Sequence, residues 1–310
     1  MHTAIIANSH AGALRRDPGL ADRMRTLCGD EATLHLTRDL DELRAAAEAT
    51  ARDGVTTVGL VGGDGTASAV LTALWRAYGE RPLPSIVFLR GGTMNTIAGS
   101  LGITRGGPLA LLHRALEAAR TPGTIPVRAR PAIRIGDRLG FLFGTGVWYG
   151  YLHESYADGQ PTYVTNLSVL ARALSSAAVD GDTYRRIFQA HALSVRFADG
   201  AWEPRKYLTV AAGTIADAGF GFRPFHRAFT SQHRFQLFAI HGGATDVLRD
   251  LPGLWVGRGL SASTAHDTVT PWAELRSHDG PFGYAVDGDL CTAQETLRLS
   301  LGPVFRFLCI

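Results

Sequence analysis

The chain has 310 residues, 45% of them hydrophobic and 19% charged, which favours two domains of ordinary size and carries no disorder signature. A formal charge of +3 falls short of the clustered basic stripe that nucleic-acid binding needs, and three distant cysteines, Cys28, Cys291 and Cys309, form neither a disulfide framework nor a zinc-ligand spacing. No run approaches the ~18 apolar residues of a membrane span, and Met1 to Ala7 lacks the basic start of a signal peptide, so the expected location is cytoplasmic.

The first third has a βα rhythm. Thr3 to Ala7 reads as a strand, followed by a helix capped by Asp17 with Pro18 at its first position. Ala32 to Leu36 reads as a second strand, and Asp39 caps a helix through Leu40, Leu43, Ala46 and Ala47 that Gly54 ends. A third strand, Thr57 to Val61, runs into Gly62-Gly63-Asp64-Gly65-Thr66 and a helix through Ala69, Val70, Ala73 and Leu74. The fourth, Ser85 to Leu89, runs into Gly91-Gly92-Thr93 and a short helix, and Pro108 opens another that turns Leu111, Leu112 and Leu116 inward. Fully apolar strands between helices predict a parallel sheet covered on both faces.

The pattern changes at Thr121-Pro122-Gly123, where the domain boundary is expected. Beyond it, alternating strands with turn signals predict antiparallel sheet: Ala132 to Ile135, a Gly136-Asp137 turn, Gly140 to Phe143, Leu193 to Phe197, Asp199-Gly200, and Tyr207 to Ala211. Helices are expected at Leu167 to Val179 and at Asp246 to Leu254, the latter interrupted at Pro252.

Two glycine-rich turns, Gly62 to Thr66 and Gly91 to Asn95, each follow a buried strand and open a helix. That arrangement aims backbone N–H groups and the positive helix end at phosphate. Two on neighbouring strands point to a nucleotide cleft at the strand C-terminal ends. Asp64 adds that a divalent cation accompanies the phosphates, since a carboxylate among phosphate-facing amides would otherwise repel them; the competing role for Asp64 is a helix N-cap. Neither turn has the Walker Gly-Lys-Ser/Thr ending.

These residues resemble the diacylglycerol kinase catalytic-domain superfamily of lipid kinases. Asn8 with Gly12 is similar to its first-strand Asn-Pro-x-Ser-Gly turn, Thr37 to its threonine after the second strand, and Gly62-Gly63-Asp64-Gly65-Thr66 to its signature. Gly92-Thr93-Met94-Asn95 is similar to its Gly-Thr-x-Asn stretch, and Val286-Asp287-Gly288-Asp289 to its late Val-Asp-Gly-Glu.

The resemblance implies an α/β nucleotide-binding domain with a parallel sheet over residues 1–122, rejoined by about 293–310, and a β-rich antiparallel sandwich over 123–292 that takes the lipid. It implies Mg2+ and ATP as cofactors, with nucleotide contacts from Asn8, Gly12, Thr37, Gly62, Gly63, Asp64, Gly65, Thr66, Ser68, Gly92, Thr93 and Asn95. Asp64 would touch the metal only through Mg-ATP. Asp289 inherits the catalytic carboxylate that accepts the hydroxyl proton, and Asp287 is the turn former beside it. The implied partners are ATP, a lipid substrate and, transiently, the inner membrane surface; a homodimer stays open, and no nucleic acid is expected.

Departures are Ser9 and Ala11 in the first turn, Thr96 where many members carry Asp, and Asp289 for the commoner Glu. Ala228 to Phe238 has no carboxylate for the structural magnesium of many bacterial members, so that second site is not expected. Phe220 to Phe229 interleaves aromatic and basic residues and reads either as a membrane-dipping loop or as a cap on the β-domain core. Phe143 to Tyr151 reads either as substrate-pocket wall or as a packed strand end. The competing functions are a soluble-substrate kinase of the NAD kinase type and a nucleotide- or lipid-binding pseudokinase.

Overall fold

Six apolar or small residues open the chain as β1 (Thr3–Asn8), and Ala4 to Ala7 have no exposed surface. A computed structural model describes residues 3–92, 95–103, 105–120, 125–157, 181–198, 200–219, 221–228 and 233–310. The chain forms two units, Met1–Ala132 with Pro303–Ile310, and Ile133–Gly302.

In the first unit β2 (Ala32–Thr37), β3 (Thr57–Val61) and β4 (Ser85–Phe88) join β1 in a parallel sheet of order β2-β1-β3-β4. Between them run α1 (Gly12–Arg16), α2 (Leu20–Cys28), α3 (Leu40–Arg52) and α4 (Asp64–Tyr78), followed by α5 (Thr96–Ser100) and α6 (Pro108–Arg120). The α3/α4 and α2/α6 pairs pack together, which covers both faces of the sheet as its continuous apolar strands demand. Ile5, Ile6 and Leu60 are fully buried, each contributing about 1.5–3 kcal/mol through the area it removes from water.

Asp39 caps α3 as expected, accepting from the backbone N–H groups of Asp41 and Glu42. Asp17 does not N-cap a helix. It ends α1, and α2 starts three residues later with Gly19 at its N-cap, because the first turn already begins a short helix at Gly12.

The chain then enters β5 (Val127–Ile135), β6 (Arg138–Gly140) and β7 (Leu142–Thr145). The single strand expected over Gly140 to Phe143 is two strands in different sheets, with the break at Phe141. The same happens after β8 (His191–Phe197): Tyr207 to Ala211 divides into β9 (Glu203–Tyr207) and β10 (Thr209–Gly213), which also lie in different sheets.

Adding β11 (Phe235–Ile240), β12 (Ala265–Thr270), β14 (Phe282–Val286) and β15 (Asp289–Ala293) gives an antiparallel sheet of order β12-β11-β10-β7-β14-β15. The facing layer is β8, β9, β13 (Trp272–Ser277) and the start of β16 (Thr296–Leu308), paired antiparallel. Between the layers lie Ile133, Phe143, Val195, Phe235, Leu275 and Leu299. β16 ends in the first unit, where Phe307 pairs in parallel with Ile86.

Helices α7 (Val147–Tyr156), α8 (Asp182–Ile187) and α9 (Ala244–Trp255) complete the described elements. Pro252 does not interrupt α9, which runs on through it to Trp255. The helix expected over Leu167 to Val179 and the boundary at Thr121 to Gly123 lie outside the described residues.

Candidate functional site

The strand order places a topological switch between β1 and β3, since the chain moves outward to β2 and returns past β1. In open α/β sheets a ligand crevice lies at such a point, at the carboxyl ends of the strands. The residues there are Asn8, Thr37 and Gly62, and one hydrogen bond spans the gap: Asn8 Nδ2 donates to Thr66 Oγ1 at 3.0 Å. Thr37 sits beside Asn8, 6% exposed, with its Oγ1 donating to the Ala7 carbonyl at 3.4 Å.

The two glycine turns interlock. Gly91 N–H donates to the Gly62 carbonyl at 3.0 Å, continuing the β3–β4 ladder past the strands. A Cβ on Gly92 would lie 2.2 Å from Gly63 Cα, and one on Gly91 would lie 2.8 Å from Gly62 N. Only glycine permits that approach of backbone to backbone. The first turn joins the same cluster, because Ala13 N–H, next to Gly12 at the start of α1, donates to the Gly91 carbonyl at 3.0 Å.

Gly63 is the N-cap of α4 and makes no side-chain cap, so the first-turn amides of Asp64, Gly65 and Thr66 lead a fifteen-residue helix with its positive end at the crevice. Asp64 is the first residue of α4, and its carboxylate accepts from Thr96 N–H and Ile97 N–H, both at 2.9 Å. It therefore caps α5 from across the turn. The sequence reading set a capping role against a phosphate-side role; in the structure Asp64 caps a helix, and that helix is not its own.

Asn95 is the residue before α5. Its left-handed φ of 50° lets its side chain clasp Gly92, with Oδ1 accepting from Gly92 N–H at 3.2 Å and Nδ2 donating to the Gly92 carbonyl at 2.7 Å. Ser68 is 2% exposed on the second turn of α4. Thr93 lies outside the described residues. Of the rest, Asn8, Gly12, Thr37, Gly62, Gly63, Asp64, Gly65, Thr66, Gly92 and Asn95 gather at one end of the sheet.

In the second unit Val286 to Asp289 forms a two-residue hairpin between β14 and β15, and positive φ at Asp287 (48°) and Gly288 (97°) identifies the turn favoured by Asp-Gly. Its two aspartates have opposite environments. Asp287 is 6% exposed and accepts from Phe141 N–H and Leu142 N–H at 2.8–3.0 Å, holding the point where the chain changes sheets. Asp289 keeps 42% of its side-chain surface, and its Oδ2 lies 3.8 Å from the Arg138 guanidinium. The protein mass around it pushes the Asp289 carboxyl above the ordinary aspartate value, and Arg138 partly offsets the rise. Burial, and then the Asp289 charge, likewise raise Tyr156, whose hydroxyl donates to the Gly288 carbonyl at 3.2 Å.

Phe225 is fully buried against Phe238 and Trp148, with ring centroids 5.2 and 5.9 Å away, so the described part of the Phe220–Phe229 stretch caps the β-domain core. Arg227 is tied in by its backbone N–H donating to Gln236 and its guanidinium donating to the Asp267 carbonyl. The Phe143–Tyr151 segment is the end of β7 and the first half of α7. Sequence reasoning missed Arg138; a single arginine after a Gly-Asp turn gives no local sign of the carboxylate that folding brings beside it.

The family model for the diacylglycerol kinase catalytic domain matches residues 2–125. A Pseudomonas aeruginosa protein named "Probable lipid kinase YegS-like" is 26% identical over 282 residues, covering 89% of this chain and 83% of that one. A crystal structure of a diacylglycerol kinase from Bacillus anthracis aligns over 99% of this chain and 96% of that one at TM-score 0.66 and 14% identity. A second crystal structure from that organism reaches TM-score 0.72 at 13% identity over the same shares. The fold is thus that of the diacylglycerol kinases. Residues 2–125 match the diacylglycerol kinase catalytic domain, and together with the lipid kinase relative this gives the class of enzyme as a kinase, a phosphotransferase.

Proposed function

We propose that the protein is an ATP-dependent lipid kinase that moves the γ-phosphate of ATP onto a lipid hydroxyl, the acceptor being diacylglycerol, a ceramide or sphingoid base, or phosphatidylglycerol. One observation carries the reading: two glycine turns so close that a Cβ on Gly91 or Gly92 would run into the backbone of Gly62 and Gly63, at the carboxyl ends of β3 and β4, with an acid on the leading turn of α4. Such a surface presents bare amides to phosphate oxygens.

Asn8, Gly12, Thr37, Gly62, Gly63, Gly65, Thr66, Ser68, Gly92, Thr93 and Asn95 are assigned to the nucleotide, which makes residues 1–122 with the returning C-terminal strand the ATP-binding part and 123–292 the lipid-binding part. Among the described residues no cluster of His, Cys, Asp or Glu holds a metal ion by itself. A cation delivered with the triphosphate fits that better than a resident one. Bound Mg2+ supplies neutralisation of the phosphate charge, with Asp64 as the carboxylate on its side of the site.

Asp64 also fixes the start of α5 and so sets the shape of the Gly92 turn. Asp289 accepts the proton of the attacking lipid hydroxyl, for which its raised affinity for protons is suited. Its hairpin is kept in place by Asp287, which has no chemical part.

Among the described residues no helix is long and apolar enough to cross a membrane. The reading has the lipid acceptor met at the inner membrane surface by transient contact. A homodimer is compatible with this chemistry and is checked by sedimentation velocity.

The test is transfer from γ-labelled ATP to a total lipid extract, beside Asp64→Asn and Asp289→Asn. The expected result is a labelled lipid with the wild type and at least about a hundredfold less with either variant, the scale of a lost general base or metal-linked carboxylate. A labelled water-soluble product would move the protein to the NAD kinase type. Nucleotide binding with no labelled product would make it a pseudokinase.

A further inference from the structure

Beside the proton acceptor lies a group that the reaction scheme leaves unused. Arg138 opens β6, directly after the Gly136-Asp137 turn, and its guanidinium is divided between two residues of β15. Nη1 donates to Cys291 Sγ at 2.7 Å, and Nη2 lies 3.8 Å from Asp289 Oδ2. Asp289 and Cys291 alternate along one strand, so their side chains leave the sheet on the same face, and one planar fork reaches both. Arg138 is 30% exposed in its side chain, more enclosed than the carboxylate it faces.

We propose that Arg138 is a positioning residue for Asp289: anchored on the Cys291 sulfur through one arm, it uses the other to hold the carboxylate charged and aimed at the acceptor hydroxyl. This rests on the reading of Asp289 as proton acceptor.

The surroundings favour Arg138 for that role over every other neighbour. From α7, Tyr156 donates its hydroxyl to the Gly288 carbonyl and leaves the Asp289 oxygens to others. From β14, Tyr284 is held neutral, its phenol pushed up to about 12 by burial and then by Cys291. Burial likewise raises the Cys291 thiol, which Arg138 partly offsets, so at neutral pH the sulfur accepts as a thiol rather than competing as an anion. Asp287, on the same hairpin, is turned inward onto Phe141 and Leu142. Asp137 belongs to the turn before Arg138 and acts on Tyr284. Among these groups Arg138 is the cation facing Asp289. A planar fork at a fixed distance also suits an aspartate one methylene shorter than glutamate, whose reach has to be set by its support.

The experiment reads Asp289 directly and needs no kinase activity. The full chain is labelled with 13C-aspartate, the Asp289 carboxyl signal is assigned by its absence in Asp289→Asn, and its titration is followed in wild type, Arg138→Gln, Arg138→Lys and Cys291→Ala. Removing a cation lowers the preference for the charged form, so Arg138→Gln is expected to move the midpoint to higher pH and Arg138→Lys to leave it near wild type. Cys291→Ala, which frees the anchoring arm, is expected to give a smaller upward move, and it serves in place of Arg138→Gln if that variant does not fold.

In the kinase assay Arg138→Gln is expected to lower kcat/KM by about three- to tenfold on the acid limb and by under about twofold on the alkaline plateau. Arg138→Lys is expected to restore the limb while kcat stays reduced by the lost fork geometry. An Asp289 midpoint that is the same in Arg138→Gln as in wild type overturns the proposal, whatever happens to activity. A moved midpoint in a protein that labels no lipid upholds the pairing and removes only the reaction assigned to it.

Discussion

Replacing Gly92 by alanine tests the interlocked turns with a single methyl group. Its Cβ would stand 2.2 Å from Gly63 Cα, 2.8 Å from Gly63 N and 3.3 Å from the Gly62 carbonyl carbon, all backbone atoms. No side chain can rotate aside, so the turns have to separate by more than an ångström to reach ordinary contact of 3.5–4.0 Å. Separation breaks the Gly91 N–H bond to the Gly62 carbonyl and strains the Asn95 clasp on Gly92. Overpacking costs about 1–3 kcal/mol, and a lost backbone bond about 1 kcal/mol more, so a destabilisation of about 2–4 kcal/mol is expected. Urea unfolding followed by tryptophan fluorescence measures it, and titration with a fluorescent ATP analogue should show affinity reduced by at least about tenfold, as the amide surface is deformed. Gly99→Ala is the control: nothing lies within 4 Å of its added Cβ on α5, so it should be neutral or stabilising by under about 1 kcal/mol. If Gly92→Ala unfolds at the wild-type urea concentration and binds the analogue within twofold of wild type, the turns are not the tight platform described here.

The two aspartates of the late hairpin should separate cleanly. Asp287→Ala leaves the buried Phe141 and Leu142 amides without an acceptor and should cost about 2–4 kcal/mol in urea unfolding, whereas Asp289→Ala should leave the unfolding midpoint nearly in place and abolish lipid labelling. Asp64→Asn should lower stability by about 1–3 kcal/mol in the absence of nucleotide, because an amide cannot accept from both Thr96 and Ile97; equal stability of variant and wild type would refute the capping role.

For pH dependence, the folded Asp289 carboxyl holds its proton more tightly than an ordinary aspartate, chiefly through burial. Activity should fall on acidification along a limb whose midpoint lies above the usual aspartate value, and Asp289→Asn should lack that limb. The stability effect has the opposite sign to that of a paired carboxylate. The charged form is disfavoured by folding, so Asp289 weakens the fold above its folded midpoint and this weakening is relieved as the pH falls through it. Asp289→Asn should accordingly be no less stable than wild type at neutral pH in thermal unfolding.

The first unit was largely legible because its signals are local. Thr57 to Val61 is a buried run that forms the strand expected of it, residue for residue, and Asp39 caps the helix that its position promised. The two glycine turns after the third and fourth strands were legible through spacing alone. Which backbone they touch was not legible, since the approach of Gly92 to Gly63 joins residues 29 positions apart.

The second unit hid more. Largely buried stretches run through Phe141 and Leu208, yet the chain changes sheets at both, because such a stretch reports burial and not which layer receives it. Val147 to Tyr156 is helical despite aromatic, β-favouring residues, and it packs closely at Gly150, where a Cβ would meet the Ile187 backbone at 3.1 Å, a neighbour that no local pattern reveals. Asp287 and Asp289 were told apart by resemblance and turn chemistry, while Arg138 could be found only once β6 and β15 were placed side by side.

The last strand of the first unit imposes an order on synthesis. Phe307 pairs with Ile86, which leaves the ribosome 221 residues earlier, so at about 5–20 residues per second β4 waits some 11–44 s for its second neighbour. During that interval its free edge, Ser-Ile-Val-Phe, is an apolar template for any other extended chain. A truncated gene product ending at residue 132 would keep that edge open permanently, and restoring residues 303–310 through a short linker is the economical way to express the first unit by itself.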